Sequence, residues 1–448
     1  METSRLLVLS KRKLITPFFW VMFFILSFRV LARFPSGIFE ALFILVVILV
    51  TAVSFRHIFI QWSLGKANYL QLILFPLFLL PFITAWQANR EFQQPYLIGL
   101  LAQRQHFIIF AGYFLLVSLK NNFISIERLQ KYFLRALFII MGIMLFFSVF
   151  IDPLKFNGTD FVEFSLNKGW HYEFPGDVVA TVILFSVFKI LTENRYRFFI
   201  PLLFGVLYFL VYVQDRSQLL MMAVTVGIYF IRNVSLNKKV IYATWGTLLL
   251  MAATGITYLV SPDLINHYVT IFGNASTIVT GGHTTEYSTN MRIAESAIAI
   301  KGFFEHPFFG NGFVSSQFKG GFSGFFGYFY ASDVGILGNL FVYGIIGTLI
   351  FYIPFLFAWS WSGRLRNNHD LLLTTCQYGL IFIFLDMITA ASNIKYMGLP
   401  SVFFAIIYYY RYFGNNKRAD ASFHPGADQT SLRSNQNKLQ KFSIEKGR

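Results

Sequence analysis

Three residues well suited to chemistry, Arg292, His306 and Asp333, follow one another ahead of a glycine pair, Gly344-x-x-Gly347. A guanidinium group stabilises negative charge without titrating, whereas an imidazole or a carboxylate can accept a proton. These residue types suit a transfer reaction that releases an anion and removes a proton. The elements that position them must be inferred from the rest of the chain.

The composition describes a membrane protein. Apolar residues make up 56% of the 448 positions and charged residues only 13%, which is unlike a soluble globular chain. Apolar runs of about 17 to 20 residues, the length that crosses a hydrocarbon core of roughly 30 Å, recur along the sequence. They predict an all-α, polytopic membrane protein with about twelve spans. The predicted spans are 14–31, 36–55, 68–86, 98–118, 133–151, 177–191, 198–213, 217–231, 240–259, 334–358, 371–390 and 398–413.

The charge distribution predicts the orientation of these spans. Most of the 37 Lys and Arg residues fall in segments on the same side as the N-terminus, so both termini are expected in the cytoplasm. Four regions follow: spans one to nine in 1–259, a large outer loop in 260–333, spans ten to twelve in 334–414, and a basic tail in 415–448 that is expected to be disordered. Because this bias and the tail account for the net charge of +16, no nucleic-acid partner is needed to explain it.

The large outer loop contains a helical pattern over about 290–305. Its apolar positions recur at helical spacing on one face, and Arg292 and Glu295 lie three residues apart on another. We expect this amphipathic helix to lie at the membrane surface and to end at His306-Pro307, since a residue before proline is biased away from helix. The apolar positions are Ile293, Ala297, Ile300 and Phe304.

At these residues the sequence resembles the O-antigen polymerase and ligase superfamily, the integral-membrane glycosyltransferases of lipopolysaccharide assembly. The resemblance is best over 212–351. In the ligases a histidine stands eleven residues before the glycine pair; Asp333 occupies that position here, which favours a polymerase. The motifs that carry the resemblance are Asp215-Arg216-Ser217, Arg292, His306-Pro307-x-x-Gly310-x-Gly312 and Gly344-x-x-Gly347.

The resemblance implies a GT-C-like fold in a bacterial inner membrane, with the active site facing the periplasm. It implies a glycan donor and acceptor carried on undecaprenyl pyrophosphate, a chain-length regulator as a protein partner, and neither cofactor nor metal. The lack of an Asp-x-Asp pair agrees with a metal-independent reaction, and the single cysteine, Cys376, allows no intramolecular disulfide.

Roles follow for the residues that match. Negative charge builds on the leaving pyrophosphate, and Arg216 and Arg292 are expected to stabilise it. Asp333 is the first candidate for the base that deprotonates the acceptor hydroxyl, and His306 is the second. The remaining candidates, for binding of the pyrophosphate or the sugar, are Arg104, Trp170, His171 and Glu173.

The sequence leaves alternatives open. A ligase that transfers polymer to lipid A-core uses similar motifs, and a lipid-linked oligosaccharide flippase suits twelve spans equally well, although transporters usually place charged sites near the midplane of repeated, broken helices. Each residue also has a structural interpretation: an ion pair with Glu295 for Arg292, a span anchor for Arg216, a helix stop for His306, a helix cap for Asp333, an outward-reaching charge for Arg104, and loop packing for Trp170, His171 and Glu173.

Overall fold

The computed structural model describes residues 16–28, 37–156, 162–165, 169–172, 176–213, 216–260, 262, 287–365, 370–390 and 397–414. Within them the protein is mostly helical. The helices are α1 Thr16–Ser27, α2 Gly37–Ser63, α3 Tyr69–Phe92, α4 Tyr96–Ala102, α5 Phe110–Lys120, α6 Ile126–Phe150, α7 Gly176–Glu193, α8 Phe199–Tyr208, α9 Arg216–Asn233, α10 Leu236–Val260, α11 Tyr287–Glu305, α12 Phe322–Phe326, α13 Gly335–Gly363, α14 Leu371–Thr389 and α15 Gly398–Tyr412.

The protein is embedded in a membrane. Six described helices are long and apolar enough to cross it, or seven if the bent pair of α4 with the segment 104–120 forms one span. A described helix lies over each of the twelve predicted spans, but the full count of twelve and the orientation stay predictions. The predicted tail, 415–448, lies outside the described residues.

The last helix, α15, lies at the centre of the helix assembly. Every residue from Gly398 to Tyr410 is buried, which is the pattern of a helix that is apolar on all sides. It packs closely on α5, because a Cβ at Gly112 would lie 2.0 Å from the carbonyl oxygen of Ser401. Small residues allow membrane helices to approach in this way.

The first outer segment, about residues 152–176 in the predicted topology, contains a small β-hairpin that the all-α prediction did not include. Strand β1, Val162–Ser165, pairs antiparallel with β2, Gly169–Tyr172. The hydroxyl of Tyr172 donates to the carbonyl of Ile151, which follows α6. The hairpin therefore lies at the end of α6.

The helix predicted in the large outer loop is confirmed as α11. It ends at Glu305, directly before His306-Pro307, as the bias of a pre-proline residue requires. Most of the preceding loop, 263–286, lies outside the described residues. After α11 the chain forms a turn that packs on α13, and this turn organises the candidate site.

Candidate functional site

The turn at 306–312 and helix α13 are locked together by backbone hydrogen bonds. The amides of Asn311 and Gly312 donate to the carbonyls of Phe341 and Val342, at 2.8 and 3.0 Å. In the opposite direction, the amide of Ile345 donates to the carbonyl of Pro307 at 2.8 Å. A regular helix would use these groups internally, so α13 must be broken at this point.

Gly344 makes the break possible. Its φ of 61° and ψ of −172° lie inside the span of α13 but outside helical geometry, in a region essentially restricted to glycine. A Cβ there would lie 2.4 Å from the carbonyl of Phe308, and one at Gly310 would lie 2.5 Å from the amide nitrogen of Gly344. Glycine is therefore needed at positions 310 and 344 because the backbones of the two motifs are in direct contact.

Helix α3 holds the other side of the turn. The Gln87 side chain donates to the carbonyl of Gly310 at 3.2 Å. Gln94 donates to the carbonyl of Phe313 and accepts from the amide of Ser315. Gly312, at φ 83°, lies directly against the backbone of Thr84 and Ala88. The turn is thus fixed between α3 and α13, which gives the outer loop a rigid base.

His306 is paired with an acid that sequence reasoning missed. Its Nε2 lies 3.2 Å from Oε2 of Glu91, near the end of α3, and both side chains are partly buried. A carboxylate at this distance can orient an imidazole and select its tautomer. No sequence signal links the two positions, because they are more than 200 residues apart.

Among the described acidic residues of the segment 287–333, Glu295 alone is buried. It is only 1% exposed and accepts a hydrogen bond from the amide of Tyr330 at 2.9 Å. Burial, together with the nearby charge of Asp333, raises the pKa of Glu295 to about 7, against the lowering effects of the Tyr330 amide and of Arg292. Glu295 therefore does not lie on a solvated helix face beside the exposed Arg292, although the charge of Arg292 still acts on it.

The orientation of α11 explains this burial. Its small and polar face, with Glu295, Ala299 and Gly302, is buried, and Gly302 lies against the ring of Phe341 in α13. The apolar face is exposed instead, including Ile293 at 45% and Phe304 at 73%. Such a face suits contact with the acyl boundary of a bilayer, as expected for a helix at the membrane surface.

Asp333 and Arg292 both interact electrostatically with Glu295. Asp333 belongs to a 3₁₀ turn, Ala331–Val334, and accepts from the Ser332 hydroxyl at 3.1 Å. The residue at the N-cap position of α13 is Val334 rather than Asp333. Arg292 is exposed one turn before Glu295. Both predicted residues therefore lie within electrostatic range of the buried Glu295.

Arg104 occupies a separate position. It begins the 3₁₀ turn Arg104–Ile109, where α4 and the following segment bend by 48°. Its Nε donates to a carboxylate oxygen of Glu40 in the first turn of α2 at 2.7 Å, and its Nη1 donates to the carbonyl of Leu101. This guanidinium already has a counter-ion, and no contact joins it to Glu295 or His306 in the described part of the chain.

The candidates of the first outer segment are also separate. Trp170 and His171 lie in β2, and Nδ1 of His171 is 3.1 Å from the carbonyl oxygen of Gly169. Glu173 lies outside the described residues, as does the side chain of Arg216, whose backbone begins α9. The starts of α7 and α9 meet, because a Cβ at Gly176 would lie 2.1 Å from Oε1 of Gln218. Arg216 therefore begins its helix beside the end of the hairpin segment.

The fold and site together define an α-helical membrane protein with a cluster of ionisable groups held beside its spans. Comparison with known proteins adds no family: no protein-family model matches the chain, and no curated protein matches it. The arrangement of residues is therefore the basis for a functional proposal.

Proposed function

We propose that this protein polymerises oligosaccharide repeat units carried on undecaprenyl pyrophosphate into O-antigen or a related surface polysaccharide, by metal-independent glycosyl transfer at the periplasmic face of a bacterial inner membrane. The observation that supports this most strongly is the cluster of Arg292, Glu295 and Asp333, anchored to the spans by the turn at 306–312. A lipid-linked donor needs a site where its lipid stays in the bilayer and its sugar reaches water. A charged cluster beside an exposed apolar helix face meets both demands.

The proposed reaction is a displacement at the anomeric carbon of the donor sugar. The acceptor hydroxyl oxygen forms the new glycosidic bond, and the bond from the anomeric carbon to the pyrophosphate oxygen breaks. Undecaprenyl pyrophosphate leaves with the electron pair, and the hydroxyl proton passes to a carboxylate. Arg292 stabilises the leaving charge, joined in this proposal by Arg216.

The base is one member of the Glu295 and Asp333 pair. A catalytic base works best when its pKa is near the operating pH, and burial brings the pKa of Glu295 to about 7. The carboxyl groups of Glu295 and Asp333 lie near each other in different environments. One can therefore act as the proton acceptor while the other serves as the charged partner. His306, oriented by Glu91, is the second candidate base.

The test is a gel of surface lipopolysaccharide from a strain that lacks the gene, complemented with wild type or with variants, while the lipid-linked intermediates are extracted in parallel. We expect core that carries a single repeat unit in the deleted strain, and the same pattern with Arg292→Ala, Arg216→Ala or Asp333→Asn. Lys301→Ala is the matched control for Arg292→Ala, because Lys301 is an exposed cation on the same helix.

The other outcomes identify the alternatives. Bare core with long lipid-linked chains would establish a ligase, and bare core with single units trapped on the cytoplasmic side would establish a flippase. Normal polymer from all three variants, with each protein present in the membrane, would overturn the site assignment.

A further inference from the structure

A second polar region lies at the opposite end of α13, far from the candidate site. There a cavity of about 750 Å³ opens between the last turns of α7, α9 and α13 and the first turns of α14. Gly344 and Gly363 are separated by roughly 25 to 30 Å along α13, at 1.5 Å per residue. This volume is within the range of about 300 to 1,000 Å³ that is typical of ligand pockets.

The lining of the cavity is divided by polarity along the helices. Polar groups, including Arg232, Asn233 and Ser362, come from the helix ends, where a cytoplasmic surface is predicted. Apolar groups, including Phe355 and Leu385, come from deeper positions on α13 and α14. A ligand that fits this division has a polar head and an apolar tail.

The cavity is also open toward the surrounding bilayer. Leu356 and Trp359 line it and are 56% and 58% exposed. Both lie on the surface of α13 that faces away from the other helices, where lipid surrounds a membrane protein. Tryptophan is favoured at the interface of the bilayer. An acyl chain can therefore enter the cavity directly from the bilayer. This route suits a lipid and not a water-soluble ligand.

The charge at the polar end is positive. Arg232 is the charged residue among those that line the cavity. Two nearby acids are occupied elsewhere: Glu193 pairs with Lys189 and Arg195, and the Asp370 carboxylate caps α14 through the amides of Leu372 and Leu373. Among the described residues no salt bridge is found for Arg232, so its guanidinium can meet an anionic head group here.

The polar wall is pre-organised for such a head group. The Asn233 side chain donates to the carbonyl of Tyr229 at 3.0 Å and to the Tyr378 hydroxyl at 2.6 Å, so α9 and α14 are tied together beneath Arg232. Segments of this chain do not match the charge of the cavity, because 366–369 and 415–448 are themselves basic. A negatively charged occupant from outside the chain is favoured.

We infer that this cavity binds one anionic phospholipid of the cytoplasmic leaflet, with its phosphate on Arg232 and an acyl chain along the apolar wall of α13 and α14. The site is independent of the proposed glycosyl transfer. The lipid assignment depends on the predicted orientation. In that orientation these helix ends face the cytoplasm, where anionic lipids attract basic residues.

The experiment is native mass spectrometry of the purified, delipidated full chain with phosphatidylglycerol and phosphatidylcholine of identical acyl chains at equal concentration. We expect wild type to retain phosphatidylglycerol in preference to phosphatidylcholine. In Arg232→Gln the ratio of the two bound lipids is expected to fall about fivefold, which is the contribution of one basic group near anionic lipid. Arg232→Lys is expected to keep most of it, and Ser362→Asp, which adds a negative charge at the polar end, is expected to lower it.

Arg128→Gln is the matched control, because Arg128 is an exposed arginine at the predicted cytoplasmic end of α6 and does not line the cavity. An unchanged preference in folded Arg232→Gln, or an equal loss in Arg128→Gln, would overturn the inference. Displacement of phosphatidylglycerol by undecaprenyl phosphate in wild type but not in Arg232→Gln would assign the cavity to the polyprenyl carrier and overturn the phospholipid assignment. Polymer analysis plays no part in this readout, so failure here leaves the proposed function intact.

Discussion

Glu295 is buried beside Asp333, and this position determines how its carboxyl group titrates. Burial raises its pKa from 4.5 to about 7, so the folded protein holds a proton there at pH values where the unfolded chain has released it. If the carboxylate is the base of the proposed reaction, only its ionised form is active. The residue therefore links the chemistry and the stability of the site to pH.

The first prediction concerns activity. We expect wild-type polymerisation to rise with pH, with a midpoint near 7, and Glu295→Gln to lower the rate by about 10²-fold to 10⁴-fold, the usual contribution of a general base. Glutamine keeps an acceptor for the Tyr330 amide, so the fold is retained. The measurement is the initial rate in membranes between pH 5.5 and 8.5.

Glu305→Gln is the control, because Glu305 is exposed on the same helix. A Glu295→Gln protein that keeps the wild-type rate and midpoint would remove Glu295 from the mechanism and leave Asp333 as the candidate.

The second prediction concerns stability and does not depend on the function. A raised folded-state pKa means that the native state binds more protons than the unfolded state between about pH 4.5 and 7, so the free energy of unfolding falls as pH rises through that window. The change is of order 2–3 kcal/mol. Glu295→Gln is expected to flatten this part of the profile and leave the protein relatively more stable at pH 7.5, as measured by thermal unfolding in detergent. A slope identical to that of wild type would show that Glu295 titrates normally.

At the scale of elements, the main feature is the mutual support of the broken helix α13 and the turn at 306–312. The carbonyls of Phe341 and Val342, which the break releases, are satisfied by the turn. The turn itself depends on Gly310, Gly312 and Gly344 for its close approach to α3 and α13. Neither element is expected to keep this shape without the other.

The third prediction tests this dependence. Gly344→Ala is expected to destabilise the protein by at least about 2 kcal/mol, because alanine is strained in that backbone conformation and its Cβ would collide with the carbonyl of Phe308. Thermal unfolding in detergent measures the loss. Gly363→Ala is the matched control, since Gly363 lies at the end of the same helix with open space at its Cβ position. Equal stability of the two variants would contradict the proposed role of the break.

At the scale of the whole molecule, the candidate site and the lipid cavity lie at opposite ends of α13. In the predicted topology the first faces the periplasm and the second the cytoplasm. The proposed reaction and the proposed lipid site both depend on that orientation, so it merits a direct test.

The fourth prediction is therefore topological. In a Cys376→Ala background, Lys319→Cys is expected to react with a membrane-impermeant thiol reagent added outside spheroplasts, whereas Arg364→Cys reacts only after lysis. Both positions are exposed, so access to the reagent differs by side alone. The wild-type protein, whose single Cys376 is fully buried, is a separate control and is expected to stay unlabelled. Labelling of Arg364→Cys in intact spheroplasts would reverse the orientation.

Features that depend on local chemistry could be predicted from the sequence. Apolar runs long enough to cross a bilayer predict helices at positions where the structure has them, and the proline after His306 predicts the end of α11. Hydrophobic length and the backbone preferences of proline act within a few residues. The sequence also placed Arg292 and Asp333 in one loop, although the hairpin at 162–172 was not predicted.

Which face of α11 is buried, and therefore that the pKa of Glu295 is raised, depends on how the helices pack together. Helical spacing shows which residues share a face, but the partner of that face is Phe341 on a helix distant in sequence. For the same reason no local pattern could reveal the pairing of His306 with Glu91 or of Arg104 with Glu40. Burial and charge pairing are properties of residues brought together by folding, so a linear pattern identifies candidates and the packed helices select among them.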